Sequence, residues 1–278
     1  MSNTLFARIL SQSGPVPSQV WAVQLPLPKK VIVMSRPLKE IKPSLPAHWY
    51  YDADHYQREL EAVWYRDWVC VGHGSELNRP GDFLTARIGS QNIVVTMTAD
   101  GEFRAWHNTC RHRGSLLCKD RSGRFRNGRI VCPYHTWTYS LDGQLLATPG
   151  RLETDDFNHD DYPLFGVHTA TWKGFLFVNL SDAPAESLDE FLGDEQQYLE
   201  SWPIETMRSV HREVIAVNCN WKLFWENYSE CYHCPRLHPE LCKVMPVYKE
   251  AVFDDADLPE WQPRFDGDQG FGLSLIHI

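Results

Sequence analysis

The spacing of hydrophobic residues changes three times along this chain of 278 residues. Residues 1–45 are rich in proline and have no sustained period, which predicts a disordered or mis-assigned extension. In residues 46–65 apolar side chains recur at helical spacing. Asp52 or Asp54 could cap the start of this helix. We therefore expect an N-terminal helix that packs on the second half of the fold.

Short runs of alternating residues follow from residue 66 to residue 181 and predict strands. The first strands are expected at 83–88, 92–98 and 103–106. A two-residue hairpin turn is predicted at Asp142-Gly143, and Lys173-Gly174 should join the last two strands. This part of the chain should form an all-β domain.

Helical spacing returns after the predicted strands. Ser187 and Glu190 have the spacing of a capping box, so a helix should begin there and reach Trp202. A further strand is expected over residues 209–217. Residues 182–278 are therefore predicted to form a second domain that contains both helices and strands.

Composition narrows the classes of protein that fit. The chain is 43% hydrophobic with 11 Trp, 11 Tyr and 13 Phe, enough to bury a packed core. A formal charge of -9 without a long basic run argues against nucleic acid as the partner. The sequence contains no run of 18 apolar residues, so it predicts no membrane span. The start of the sequence does not resemble a signal peptide. We expect a cytoplasmic protein whose eight cysteines stay reduced.

Four residues with metal-binding side chains form two short pairs, Cys110-x-His112 and Cys132-x-x-His135. Two thiolates and two imidazoles are the ligands of a Rieske 2Fe-2S cluster, in which two cysteines hold one iron and two histidines hold the other. A structural zinc site accepts the same four residues and is the alternative. The mixed pairs favour the cluster, because zinc fingers usually pair cysteine with cysteine and histidine with histidine.

The residues next to the two pairs are Arg113-Gly114, Pro133-Tyr134 and Trp137. With them, the segment resembles the Rieske domain of ring-hydroxylating oxygenase large subunits. Ser115 stands where the respiratory type of Rieske protein has another cysteine. Two features depart from the oxygenase pattern, because 19 residues separate His112 from Cys132 and Thr136 replaces the commoner glycine. Cys118 is predicted to be a small buried apolar residue.

A second group of metal-binding residues follows at Glu230, His233 and His238. Residues 221–234 are compatible with a helix, which Pro235 should end because proline disfavours helical geometry in the residue before it. Glu230 and His233 would share a helix face, and the break would carry His238 back toward His233. Two imidazoles beside a carboxylate suit a mononuclear non-haem Fe(II) site.

The same segment allows three other interpretations. One is a zinc knuckle, whose spacing fits poorly, drawn from Cys231, Cys234, His238 and Cys242. Another is a zinc hydrolase site, although no H-E-x-x-H motif occurs. The third is a pair of ordinary histidines at a helix end. The Cys and His pairs upstream in the same chain favour the iron site.

The order Glu230-x-x-His233-x4-His238 matches the signature of Rieske oxygenase α subunits. That resemblance implies that His233 and His238 are iron ligands. It also implies that Glu230 is the bridging carboxylate, which carries electrons from the Rieske histidine of a neighbouring subunit. Glutamate within N-x-x-E-C-Y-H-C-P-x-x-H-P-E-L is similar to the glycine betaine and carnitine monooxygenase branch, whose substrates are quaternary ammonium compounds.

The resemblance implies an α+β fold, with an all-β Rieske domain over residues 66–181 and the N-terminal part of a helix-grip catalytic domain over 182–278. It implies a terminal oxygenase that uses O2 to hydroxylate or N-demethylate a small substrate. Electrons would come from NAD(P)H through a flavin/iron-sulfur reductase or a ferredoxin, and the protein would be a homotrimer. The alternatives are an aromatic-ring hydroxylating dioxygenase large subunit and a Rieske electron carrier without oxygenase chemistry.

In the family the third iron ligand is an acidic residue more than 100 residues after the second histidine. We therefore expect it beyond residue 278, and the chain as given to be inactive. Five acidic residues come too early and are expected in a solvated loop: Asp254, Asp255, Asp257, Asp266 and Asp268. Arg111 and Arg113 flank a cluster ligand and either dock an acidic reductase or pair with local carboxylates.

Overall fold

The computed structural model describes residues 44–151, 154–199, 202–229 and 232–244. Its described residues fall into two compact units, one from Leu45 to Asn220 and one that begins at Trp221. The extension predicted at the start lies outside the described residues up to residue 43. The domain boundary expected after residue 181 stays a prediction.

The first unit opens with the predicted helical segment. A 3-10 turn at Ala47–Tyr50 leads into helix α1, Ala53–Glu59, which continues as a π-helical turn at Leu60–Trp64. The Asp52 carboxylate accepts a hydrogen bond of 2.8 Å from the His55 N–H and caps the helix. The expectation of a capped helix in residues 46–65 is confirmed.

Ten strands follow in two antiparallel sheets. Their bounds are β1 Val69–His73, β2 Asp82–Ile88, β3 Gln91–Met97, β4 Phe103–His107, β5 Ser122–Arg124, β6 Arg129–Val131, β7 Thr138–Ser140, β8 Leu145–Ala147, β9 Gly166–Trp172 and β10 Phe175–Asn179. The larger sheet has the order β1-β10-β9-β4-β3-β2-β5, and the smaller has the order β6-β7-β8. The strands predicted from alternation at 83–88, 92–98 and 103–106 are confirmed.

Both faces of the larger sheet are covered, and alternate residues of β3 separate two hydrophobic cores. Ile93 and Val95 belong to one core, while Val94 points into the other, and all three side chains are fully buried. The core on the Val94 side also contains Cys110 and Cys132. Two of the residues predicted to bind a metal, Cys110 and Cys132, therefore lie within a packed hydrophobic core.

Two hairpin turns differ in a way that their glycines explain. Lys173 and Gly174 both have positive φ, at 45° and 86°, so the predicted two-residue turn is confirmed. At the other turn only Gly143 has positive φ, at 78°, and the Ser140 N–H donates to the Gln144 carbonyl. The prediction of a two-residue turn there is wrong, because a type I′ turn needs positive φ at both central residues and a three-residue loop needs it only at the glycine.

The part of the first unit after β10 agrees only partly with expectation. Ser187 and Glu190 form the predicted capping box, but helix α2 is short, Leu188–Leu192, and a 3-10 segment follows over Gly193–Leu199. The strand predicted at 209–217 is wrong, since no strand lies there. Val210 is 94% exposed and Ile215 72% exposed, and an extended segment becomes a strand only when it pairs with a neighbour.

The described part of the second unit contains three short helices: α3 Trp221–Tyr228, α4 Cys234–Leu237 and α5 Pro239–Val244. The prediction that Pro235 ends a helix is wrong, because it lies in the first turn of α4, where proline loses no hydrogen bond. The described residues contain both helices and antiparallel sheets, which confirms the α+β class. Among the described residues, no helix is both long and apolar enough to cross a membrane.

Candidate metal centre

The first ligand loop follows β4 and is closed by two backbone hydrogen bonds. The Cys110 N–H donates to the Ser115 carbonyl at 2.9 Å, and the Gly114 N–H donates to the Cys110 carbonyl at 3.0 Å. Gly114 has φ of 69°, a conformation that glycine adopts without strain. The loop therefore turns the chain back on itself within six residues and leaves His112 at its tip.

The second ligand loop repeats this arrangement between β6 and β7. The Cys132 N–H donates to the Trp137 carbonyl at 2.8 Å, and the Thr136 N–H donates to the Cys132 carbonyl at 3.0 Å. Thr136, which replaces the commoner glycine, has φ of 58° and so occupies the same left-handed position as Gly114. Thr136 therefore adopts the backbone conformation that Gly114 has in the first loop.

The two loops bring the two histidines together. The Nδ1 atoms of His112 and His135 lie 3.1 Å apart. Two imidazole nitrogens bound to one ion at about 2.1 Å in tetrahedral geometry lie roughly 3.4 Å apart. The Trp137 ring stacks on His112 with a centroid distance of 4.9 Å and an interplanar angle of 8°. The histidine pair is therefore held in an arrangement that fits one metal ion.

The two cysteines lie behind the histidines in the hydrophobic core. Cys110 is 2% exposed and Cys132 is 1% exposed, and their thiols are close enough to interact with each other. Burial raises the pKa of the Cys110 thiol, while the Tyr139 hydroxyl at 3.3 Å favours the thiolate. A metal bound here must displace the thiol proton, as thiolate ligands require.

The surroundings of His112 favour its neutral form. His112 is exposed and His135 is half-buried. Loss of some hydrating water at the His112 ring, followed by the charges of His135 and Arg113, lowers the pKa of His112. Neutral imidazole is the form that binds metal. Among the described residues, no three His, Cys, Asp or Glu side chains surround a single ion position. The two histidines lie together and the two cysteines lie together. A Rieske cluster needs this division, because one iron takes the two histidines and the other takes the two cysteines.

Two residues that sequence reasoning missed hold these loops in place. The Tyr139 hydroxyl also accepts a hydrogen bond of 3.1 Å from the Arg111 N–H. The buried Asn108 amide oxygen accepts from the Leu117 and Cys118 N–H groups, and its amide nitrogen donates to the Cys118 carbonyl at 2.7 Å. Cys118 is itself 7% exposed, which confirms its prediction as a buried apolar residue.

A cavity of about 490 Å³ opens beside His112 and His135. Its walls include Trp137, Phe157 and Arg151, whose guanidinium lies 3.5 Å from the centroid of the Phe157 ring. The histidine pair thus borders a concave surface that is aromatic and positively charged.

Arg111 and Arg113, the two arginines beside the first histidine, have different surroundings. The Arg111 guanidinium lies 4.1 Å from the centroid of the Phe165 ring and donates to the Pro163 carbonyl at 2.8 Å. Arg111 therefore supports the fold, and it forms no ion pair with a described carboxylate. Arg113 is exposed and likewise forms no ion pair within the described part of the chain.

The second predicted metal site lies in the other unit. His233 precedes α4 and His238 ends it, so one helical turn brings their ring centroids to 5.3 Å. The expected approach of His238 to His233 is present, but its expected cause, a helix that ends at Pro235, is wrong, because the separate helix α4 brings the two rings together. Glu230 lies outside the described residues, as do the five aspartates of the predicted solvated loop. The role of Glu230 therefore stays a prediction.

Two family models match this chain. The family model described as Rieske [2Fe-2S] domain matches residues 67–158. The model of the ring hydroxylating alpha subunit (catalytic domain) matches residues 204–270. The chain belongs to the Rieske ring-hydroxylating oxygenase α-subunit family. This Rieske oxygenase chain combines the two domain types that its two pairs of histidines indicated.

Individual relatives place the Rieske oxygenase chain more closely. It is 37% identical over 202 residues to the glycine betaine monooxygenase oxygenase subunit of Pseudomonas aeruginosa, which covers 73% of this chain and 46% of the relative. It is 32% identical over 207 residues to the carnitine monooxygenase oxygenase subunit of Acinetobacter baumannii, covering 74% and 55%. The chain thus spans about half the length of the curated relatives it matches.

A solved structure shares the fold. The crystal structure of the quaternary ammonium Rieske monooxygenase CntA in complex with gamma-butyrobetaine is 32% identical and has a TM-score of 0.67. The match covers 72% of this chain and 57% of CntA.

Proposed function

We propose that this protein is the oxygenase component of a Rieske non-haem iron system that oxidises a quaternary ammonium compound with O2. The observation that carries the proposal is the 3.1 Å approach of two imidazole Nδ1 atoms, from His112 and His135, in front of two buried cysteines. That arrangement supplies two nitrogen and two sulfur ligands from two loops with the same hydrogen-bond pattern.

The ligand residues have different roles in this proposal. Cys110 and Cys132 would hold one iron of a 2Fe-2S cluster, and His112 and His135 would hold the other. When bound, the cluster supplies one-electron transfer and a mononuclear iron supplies O2 activation. The buried core excludes water from the cysteine ligands, and the Trp137 ring fixes the plane of the His112 ring.

His233 and His238 would hold the mononuclear iron in the second unit, and Glu230 would pass electrons toward it from the cluster of a neighbouring subunit. The meeting of the two rings at 5.3 Å supports a shared ion. A homotrimer would provide the neighbouring subunit. NAD(P)H would be the electron source, through a flavin/iron-sulfur reductase or a ferredoxin.

The proposed substrate class is based on the similarity of this chain to known oxygenases. Relatives with identities of 37% and 32% are named for glycine betaine and carnitine, and CntA binds gamma-butyrobetaine. A permanent cation of this kind is usually bound between aromatic rings. Small quaternary ammonium acids and alcohols are therefore the compounds we propose.

Iron and acid-labile sulfide analysis, with EPR of the reduced protein, tests the cluster. We expect about two sulfides per chain and a reduced-cluster signal. Cys132→Ser should lose both, whereas the matched variant Cys118→Ser, which changes a buried cysteine outside the ligand set, should keep both. Bound zinc without sulfide would refute the proposal.

Product analysis after incubation with a reductase, NADH and O2 tests the substrate class, in a protein that continues past residue 278, where the third iron ligand is expected. Glycine betaine, carnitine and choline should include at least one compound that is oxidised in step with NADH. Benzoate serves as the aromatic comparison. Coupled oxidation of benzoate alone would assign the chain to aromatic-ring hydroxylation instead.

A further inference from the structure

The segment between the two ligand loops has a charge opposite to that of the whole chain. Residues 111–129 hold seven of the 27 basic residues and one of the 36 acidic residues, a formal charge of +6. The whole chain has a formal charge of -9, so the remaining residues together carry -15. The 19-residue spacing that exceeds the family pattern therefore contains a strongly basic segment.

The basic side chains of this segment point outward. We call residues 119–129 the basic arch, because they connect the larger sheet at β5 to the smaller sheet at β6. Four of its basic residues are exposed and form no ion pair with a described carboxylate: Lys119, Arg121, Arg126 and Arg129. Arg124 is the exception, since it pairs with Asp82. With the exposed Asp120, which also lies in the arch, these four side chains leave a net formal charge of +3.

The inner side of the basic arch is fixed to the core of the cluster site. The Phe125 N–H donates to the Gly81 carbonyl at 2.8 Å, and the Phe125 ring stacks on Phe83 at 4.5 Å. Ile130, just after the arch, is fully buried, and it shares a hydrophobic core with Phe125 and both ligand cysteines. The positive charges are therefore held on a firm surface rather than on a loose loop.

The arch is also close to the cysteine side of the site. Arg129 precedes Cys132 by three residues along β6 and its end, a distance of about 10 Å in extended chain. In the proposed trimer, the histidine edge serves the neighbouring subunit. An electron donor therefore needs another approach to the cluster, and the basic arch offers one.

We propose that the basic arch is the docking surface for the electron donor, and that this donor is an acidic iron-sulfur protein or domain. The inference rests on the proposed function. One electron leaves the reduced donor and enters the oxidised cluster, so the donor is oxidised and the cluster is reduced by one electron. Opposite charges speed such encounters by roughly 10- to 1,000-fold at low salt.

A compact acidic protein fits the arch better than a nucleic acid does. A duplex carries negative charge along its whole length, and the residues outside 111–129, with a formal charge of -15, oppose it overall. A small acidic domain can contact the four charges alone.

Stopped-flow reduction of the cluster-loaded whole chain tests the inference, with a reduced plant-type ferredoxin as the acidic donor. Arg126→Glu/Arg129→Glu should slow the second-order rate about tenfold at low salt and weaken its salt dependence. Reduction by neutral photoreduced lumiflavin and the EPR signal should not change. The matched control is Arg58→Glu/Arg87→Glu, which alters two exposed arginines outside the arch by the same charge.

The outcomes separate this inference from the proposed function. An unchanged ferredoxin rate in the arch variant, or an equal loss in the control variant, overturns the docking surface while the cluster stands. Tighter binding of a short DNA duplex than of ferredoxin, lost in the arch variant, assigns the arch to nucleic acid instead. Absence of a cluster in the unmodified chain overturns the proposed function and the inference together.

Discussion

Tyr139 is the residue that connects the two ligand loops most directly. It lies on β7, just after the second loop, and its fully buried hydroxyl contacts the Cys110 sulfur of the first loop at 3.3 Å. Burial, followed by the neighbouring Cys110, raises the pKa of the tyrosine well above its ordinary value. The hydroxyl therefore stays protonated and can donate to a thiolate.

Tyr139→Phe should lower the midpoint potential of the cluster. A hydrogen bond to a ligand sulfur stabilises the more negative, reduced cluster, and its net value of about 1–2 kcal/mol corresponds to roughly 40–90 mV for one electron. An EPR-monitored redox titration measures the change. Tyr134→Phe, which alters an exposed tyrosine in the same loop, is the control and should leave the potential in place.

At this scale, local spacing predicted the ligands but not their supports. Cys110, His112, Cys132 and His135 stand out because few side chains bind metal and the pairs are short. Tyr139 is 29 residues from its sulfur partner, and that distance in the sequence leaves no periodic trace. Only folding brings the two together. The position of Asn108, a polar residue at the end of a predicted strand and two before the first ligand, was the available signal.

Gly143 shows why one turn glycine matters more than another. A Cβ atom there would lie 2.7 Å from the Trp106 ring, whereas one at Gly101, also in a hairpin turn, would meet nothing within 4 Å. Both residues have positive φ, at 78° and 88°. A side chain at either position would destabilise the fold through its backbone conformation. Only a side chain at Gly143 would add the free-energy cost of a steric clash.

Gly101→Ala should lower the free energy of unfolding by about 1 kcal/mol, and Gly143→Ala by about 3 kcal/mol. Urea denaturation of both variants measures the difference. Equal losses would mean that the Trp106 ring moves aside freely.

Strand β5 is attached to β2 partly by charge. Burial acts to raise the pKa of Asp82, but hydrogen bonds from Arg124 and from the Asn78 and Arg79 N–H groups outweigh it and lower the pKa below its ordinary value. A carboxylate with a depressed pKa stabilises the fold above its unfolded pKa of about 4. That stabilisation is lost as the pH falls through the folded pKa.

Denaturation at a series of pH values should therefore show wild-type stability falling below pH ~4. Asp82→Asn should be less stable at neutral pH and should lose less on acidification. Asp142→Asn is the control, because the exposed Asp142–Arg104 pair, with 54% and 49% of its side chains exposed, should contribute little. The same acid profile for Asp82→Asn and wild type would contradict this.

Elements were predictable where a local rule decides them. The alternation of β2 to β4 and the capping box at Ser187 are local, and the structure has both. Two predictions of elements were wrong because the local sequence allows more than one structure. A strand over 209–217 depends on a partner that the sequence does not specify, and Pro235 is compatible with ending one helix or beginning the next.

For the whole molecule, cluster binding should be part of the stability of the Leu45–Asn220 unit. Four ligands join two loops across one core, and a ligand that binds only the folded state adds about 4 kcal/mol at a thousandfold excess over its Kd. The cluster-loaded chain should thus melt roughly 10 °C higher than the chelator-stripped chain. Circular dichroism follows the transition.

Cys132→Ser serves as the control for this melting comparison, because it should melt like the stripped chain whether or not iron and sulfide are supplied. A cluster-loaded chain that melts with the stripped one would show that the loops are already fixed by their hydrogen bonds alone.

The turn of the basic arch also contains a site for spontaneous deamidation. Asn127 and Gly128 are both exposed, and an Asn-Gly pair is the sequence in which the glycine nitrogen most easily attacks the side-chain amide. Loss of ammonia leaves an aspartate or isoaspartate between Arg126 and Arg129. Each such event adds one negative charge and so lowers the net charge of +3 on the arch by a third. An old preparation is then chemically mixed at the surface where we expect its electrons to arrive.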